Sequence, residues 1–160
     1  MKKRFPFLSL IVMFVGCAID RLIKILSIPL AGTEPVSVIP GVAELTYVQN
    51  TGISFGLLSG SDWLPILLAF IMIFGILLFL FFRPSGGFPG FLLGCILAGA
   101  LGNLIDRLFL GYVIDMFHFT FFQFPVFNFA DILITCGCIV LMLVILFQKD
   151  PKKTDSPKEG

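Results

Sequence analysis

Residues 63–82 read WLPILLAFIMIFGILLFLFF, twenty positions without one ionisable side chain. A helix rises about 1.5 Å per residue and the hydrocarbon core of a bilayer is about 30 Å thick, so a run of this length crosses it once. Backbone groups in hydrocarbon must pair within their own segment, which makes the run an α-helix. The rest of the 160-residue chain has the same character: 58% of it is hydrophobic, 13% is charged, and 20 residues are Phe. Mean hydropathy is +1.03. A soluble domain is nearer 45–50% apolar and about a quarter charged. The chain therefore reads as an integral membrane protein whose length allows one compact bundle, residues 1–160. The net charge of +1 does not bear on nucleic acid, but no basic stripe is present, and no nucleic-acid partner is expected.

Working outward, three more stretches are long and apolar enough to span: residues 5–26, 88–107 and 129–148. The expected fold class is an all-α integral membrane protein with four transmembrane helices, a small extracytoplasmic β-element and an interfacial loop. Lys2, Lys3, Arg4, Arg83, Lys149, Lys152, Lys153 and Lys158 fall on one side of that layout, eight of the eleven cations. The positive-inside rule makes that side cytoplasmic, with both termini inside and residues 149–160 a solvated tail. Seven of the ten acids then lie on the outer side, and the polar chemistry collects at the outer ends of the helices. KKR followed by an apolar run and VGC, ending at Cys17, resembles a lipoprotein signal, but three further spans follow and it is read as a retained first helix. Cys17, Cys95, Cys136 and Cys138 sit in apolar runs and read as buried thiols rather than as a disulfide framework.

The outer connection 27–62 is too long for a turn. Within it, SVIPGVAELTYVQN carries a Pro-Gly turn signal and the alternating Leu45, Thr46, Tyr47 and Val48, which predict a short β-element.

Ionisable residues in a span are functional candidates. Asp20 and Lys24 stand at i and i+4 in the favourable acid-first order, and Asn103, Asp106 and Arg107 share one face of the third helix. Gly94, Ala98, Gly99 and Gly102 just before them permit close helix approach. Asn128 is placed to cap the fourth helix, and a carboxylate at Asp131 is favoured by the helix dipole. Between the third and fourth spans, DMFHFTFFQFPVFNFAD puts Asp115 and Asp131 around seven phenylalanines. Asp115 is expected in the loop leaving the third helix, and the connection can fold back to bring the two acids together. Two carboxylates close together in a dry place cannot both ionise, so they share a proton. One can then donate to a carbonyl oxygen while the other activates water, which is the arrangement for peptide hydrolysis. The bland alternative has Asp131 capping a helix and Asp115 solvated.

Four stretches resemble the lipoprotein signal peptidases, the type II signal peptidases of bacterial plasma membranes. They are AIDRLIK, LTYVQNTGISFG, GALGNLIDRLFLGYVIDMF and FPVFNFADILITCG, in order across residues 18–137. The resemblance implies an intramembrane aspartic endopeptidase that cuts diacylglyceryl-modified prolipoproteins before the lipidated cysteine, with Asp115 and Asp131 as its catalytic pair. It implies substrate positioning by Asn50, Asn103, Arg107 and Asn128, and structural support from Asp20, Lys24 and Asp106. It also implies contact with membrane lipids, inhibition by globomycin-type cyclic peptides, no cofactor or metal, and a place in the bacterial inner membrane with its site near the outer face; a monomer would suffice. The chain departs from the family at Gly52-Ile53-Ser54-Phe55, where Gly-Ala-Ala-Phe is usual, and in the Phe content between the aspartates.

GISFG also fits the Gly-x-Ser-x-Gly pattern, which with His118 would suggest a serine hydrolase, but no strand-turn-helix context surrounds Ser54. A metal protease lacks a paired-histidine motif. A small four-span transporter or channel subunit is the alternative from another class. It calls for ionisable groups near the midplane, whereas these gather at one end.

Overall fold

The computed structural model describes residues 6–52 and 63–147. Their order is α1 (Phe7–Ser27), a 3-10 turn (Ile28–Leu30), β1 (Val36–Ile39), β2 (Ala43–Asn50), α2 (Trp63–Phe82), α3 (Gly87–Leu110), β3 (Val113–Phe119) and α4 (Phe129–Phe147). Ser54, the basic N-terminal residues and the 149–160 tail lie outside the described residues.

Among the described residues, α2, α3 and α4 have the length and apolarity to cross a membrane. Helix α1 spans 21 residues, and Asp20, Arg21 and Lys24 fall in every 18-residue window of it. The protein is a multi-pass membrane protein, mostly helical, with a small sheet. Helix α3 is its axis: 67% of its most apolar window is buried, against 17% for α2 and 11% for α4. The outward side chains of α2 and α4 are lipid-facing Leu, Ile and Phe, so hydrophobicity cannot direct helix to helix, and close packing must.

That packing rests on small residues. Gly90, Gly94, Ala98 and Gly102 recur every fourth position and line the face of α3 that meets α1, where Ser9 Oγ donates to Gly90 O at 2.8 Å. Gly16 of α1 comes up against Ala98, and Gly99 lies under the Ala130 carbonyl of α4. At Gly102 a Cβ would stand 2.5 Å from Asp20 Oδ2, so a carboxylate of α1 rests directly on the backbone of α3.

The sheet is larger than the sequence suggested. The Pro-Gly signal does form a turn, and β1 pairs antiparallel with β2, Val36 opposite Leu45. But β2 also pairs antiparallel with β3, giving the order β1-β2-β3. Asp115 therefore sits on a strand opposite Val48, not in a loop. Gly111 lets this happen: it ends α3 in the left-handed region, φ 80°, and turns the chain into β3 two residues later. The Phe-rich segment then doubles back, with the Phe117 and Phe127 amides and carbonyls exchanging hydrogen bonds at 2.8 and 3.0 Å. Phe119 packs its ring 5.2 Å from that of Phe127. This rung delivers Asn128 and the start of α4 beside Asp115.

Gly102→Ala should lower the thermal unfolding midpoint in detergent by several degrees, on the order of 1–3 kcal/mol of overpacking. Gly75→Ala in α2, where nothing lies within 4 Å, should be neutral or slightly stabilising. Equal midpoints for the two variants would contradict this account of the α1–α3 contact.

Candidate active site

A carboxylate or ammonium in an apolar bundle survives only with partners, and the buried ionisable side chains among the described residues converge at one end of α1, α3 and α4. Lys24, Asp20, Asp106 and Asn128 are fully buried, and Asp115 is 1% exposed. Lys24 Nζ reaches Asp20 Oδ2 at 2.9 Å, Asp106 Oδ2 at 2.8 Å and Asn103 Oδ1 at 3.0 Å. The i, i+4 pair expected within α1 is thus present, and α3 adds two more oxygens to it. Arg21, to which the sequence reading gave no role, is ion-paired with Asp106 Oδ1. Adjacent Asp106 and Arg107 were read together, yet adjacent residues on a helix diverge: Asp106 turns to α1. Arg107 donates to the Asn103 carbonyl, 3.3 Å away.

Asn103 passes the connection onward, because its Nδ2 donates to Asp131 Oδ1 at 2.8 Å. At the start of α4, Asn128 and Asp131 form a reciprocal capping box. Asp131 N donates to Asn128 Oδ1 at 3.0 Å, and Asn128 N donates to Asp131 Oδ2 at 3.1 Å. The free amide of Asn128 faces the other way and donates to Asp115 Oδ1 at 2.6 Å and to Asn103 Oδ1 at 3.1 Å. Asn50, at the end of β2 and diagonal to Asp115 across the ladder, donates to Asp115 Oδ2 at 2.8 Å. Its own oxygen accepts from Gly52 N at 3.0 Å, which turns the chain.

Asp115 and Asp131 are thus brought into one site, but among the described hydrogen bonds none joins them directly. Asn128 stands between them, its side chain on one acid and its backbone on the other. The bland reading, a solvated Asp115, does not hold: burial pushes its carboxyl from the ordinary 3.8 up to about 6, the nearby Asp131 charge adds to this, and donation from Asn50 and Asn128 opposes it. His118 lies three residues further along β3, hence on the opposite face of the strand, where Nδ1 stands 3.6 Å from Glu44 Oε2.

Beside Asp131 opens a cleft of about 840 Å³ between the sheet and α4. Its walls include Leu45, Phe117, Phe127, Ile132, Ile134 and Thr135, with Asp131 the carboxylate of the α4 wall. A mostly apolar cleft with a few convergent polar groups is the usual form of a ligand site.

A family model described as signal peptidase (SPase) II matches residues 12–147. The chain belongs to the signal peptidase II family. It is 39% identical over 148 residues to a lipoprotein signal peptidase of Lactococcus lactis subsp. lactis, covering 91% of this chain and 97% of that one. The corresponding protein of Latilactobacillus sakei is 42% identical over 115 residues, 71% of this chain and 76% of that one. A bacterial membrane enzyme solved by the in meso method at 2.3 Å superposes with a TM-score of 0.80 at 27% identity, covering 94% of both chains. The protein is therefore a peptidase of the membrane, and its polar cluster and cleft are the place to look for its chemistry.

Asp115 yields a signed pH prediction. Because burial disfavours its charge, the folded protein holds the proton more tightly than the unfolded chain. The resulting stability is complete below about pH 4 and is lost as pH rises through about 6. Asp115→Asn does not titrate, so its thermal midpoint in detergent minus that of the wild type should grow from pH 4 to about 6 and then level. A difference independent of pH would mean that Asp115 is not desolvated.

Proposed function

We propose that the chain removes signal peptides from diacylglyceryl-modified prolipoproteins, hydrolysing the peptide bond before the lipidated cysteine with Asp115 and Asp131 as a catalytic dyad. The observation that carries this reading is the Asn128 bridge, which ties two acids from separate elements, buried Asp115 and half-buried Asp131, into one site beside an apolar cleft. Relatives named lipoprotein signal peptidase support the substrate class.

The dyad shares one proton, and in the reactive form it is on Asp115, where burial favours the neutral form. Asp131 takes the part of the base, in the first turn of α4 where the helix dipole favours an anion. A water between them attacks the scissile carbonyl carbon. Asp131 takes a proton from that water while Asp115 gives its proton to the carbonyl oxygen, leaving a neutral tetrahedral gem-diol. Collapse breaks the C–N bond: a gem-diol proton goes to Asp115 and the proton held by Asp131 goes to the leaving amine. Both acids thus return to their starting states. Asn50, Asn103, Asn128 and the Arg107 guanidinium hold the substrate backbone so that its carbon meets the water. The cleft takes apolar parts of the substrate, whose acyl chains and signal helix arrive through lipid.

The proposed setting is the bacterial inner membrane, with four spans, α1 included, both termini cytoplasmic and the site near the outer face. The distribution of eight cations supports this orientation. The acceptance of α1 as a span is supported by the pairing of its three charges inside the bundle, Arg21 and Lys24 with Asp106 of α3 and Asp20 with Lys24 and the Ala130 amide of α4. One chain supplies every group named in the mechanism, so a monomer suffices, and globomycin-type peptides would compete in the same cleft.

Asp115→Asn and Asp131→Asn should each reduce cleavage of a lipidated precursor in detergent by at least about a thousandfold, with membrane insertion unchanged. Near-normal turnover by either variant removes the dyad. Ser54→Ala should cleave at the wild-type rate, and strong chelators should have no effect.

A further inference from the structure

Lys24 touches neither Asp115 nor Asp131 by hydrogen bond, yet its three acceptors all lead to them. Asp20, paired with Lys24 through Oδ2, accepts through Oδ1 from the backbone N of Ala130, the residue before Asp131, at 3.0 Å. Asp106, paired with Lys24 through Oδ2, accepts with the same oxygen from the backbone N of Ile114, the residue before Asp115, at 3.2 Å. Asn103 accepts from Lys24 and donates to the Asp131 carboxylate. An ammonium carries donors only, so the atom that Asn103 turns toward it must be the carbonyl oxygen, and the amide NH₂ is left for Asp131.

We infer that Lys24 is a positioning residue that sets the separation of Asp115 and Asp131, by gathering the oxygens that hold the backbone immediately before each acid. The inference rests on the dyad reading above. Its physical basis is that the Phe117–Phe127 rung and the Asn128 amide tie β3 directly to the start of α4, while the residues immediately before the two acids are held from other helices. Their backbones are pinned at Ile114 and Ala130 by carboxylates from α3 and α1, and one ammonium fixes how far apart those carboxylates lie. The charged groups around Lys24 are Asp20 and Arg21 of α1, Asp106 and Arg107 of α3, Asp115 of β3 and Asp131 of α4. Removing the ammonium alone would therefore disturb charge as well as spacing, and the informative variant is neutral overall.

The test is Lys24→Met combined with Asp20→Asn, purified in detergent, with turnover expressed per monodisperse folded molecule. Asp115→Asn and Asp131→Asn are run alongside. A loss of kcat of ten- to a hundredfold at a KM within twofold of wild type supports positioning, since displacement of reacting groups by about 1 Å costs on that order. A wild-type kcat in the folded fraction, or a loss confined to folded yield or to KM, overturns it. If the double variant does not fold, Lys24→Arg takes its place, because it keeps the charge but spreads its donors over a planar fork. A tenfold fall in kcat at a KM within twofold of wild type then supports the inference, and full turnover overturns it. Activity retained in the two aspartate controls would sink the dyad reading itself. Inactive controls beside a fully active Lys24 variant would sink only this inference.

Discussion

The ammonium of Lys24 is the constraint around which this molecule is arranged. It is fully buried, in a protein whose surroundings on most sides are hydrocarbon. An isolated ion in such a place costs several kcal/mol, and only tight pairing with further hydrogen bonds offsets that cost. Asp20, Asp106 and Asn103 surround it at 2.8 to 3.0 Å. Those contacts require α1 and α3 to touch at one register, which in turn requires glycine at position 102, where the Asp20 carboxylate lies on the helix backbone. The small-residue face from Gly90 to Gly102 is thus the packing counterpart of one charge. Burial alone would let the helices slide, since lipid is as apolar as their side chains.

The same cluster has a charge balance that bears on the proposed chemistry. Asp20, Asp106, Asp115 and Asp131 are four acids. Lys24 and Arg21 are paired with Asp106, and Arg107 interacts electrostatically with Asp131, Asp115 and Asp106. Three cations against four carboxylates leave one negative charge over, and a dry site favours a proton in its place. A dyad that shares a single proton is what such a network accommodates best, and the proton belongs to the coupled set more than to either acid.

Much of this was legible in the residues. The three apolar runs beyond α1 became helices within a few residues of the expected bounds, because length and hydropathy alone decide them in a bilayer. Asn128 read as a cap, and it is one, since Asn before an apolar run has few other uses. What did not read was β3. Val113–Phe119 alternates no more clearly between polar and apolar than a loop wall would, because the strand is buried along its first half and faces an aromatic cluster along the second. The partners of Asp106 were also hidden: spacing along one helix shows which residues share a face, but not that α1 would present both Arg21 and Lys24 to it. Asn128 had a second role that no local rule could show, because the Asp115 contact exists only once Phe117 and Phe127 have closed their rung.

That rung explains the greasy segment between the two acids. Solvating residues there would stabilise an open loop and leave Asp115 in water, whereas five mutually packed rings, Phe119, Phe121, Phe122, Phe124 and Phe127, hold the turn closed without supplying a competing donor. The two acids consequently meet different environments over a short distance. Asp131 stands in the first turn of a helix with a backbone N–H on one oxygen. Asp115 stands on a strand within the closed protein, held by two side-chain amides. A pair of identical carboxyl groups is thereby made unequal by burial and by setting, strand against helix terminus, and inequality is what allows one to keep a proton while its neighbour takes one from water.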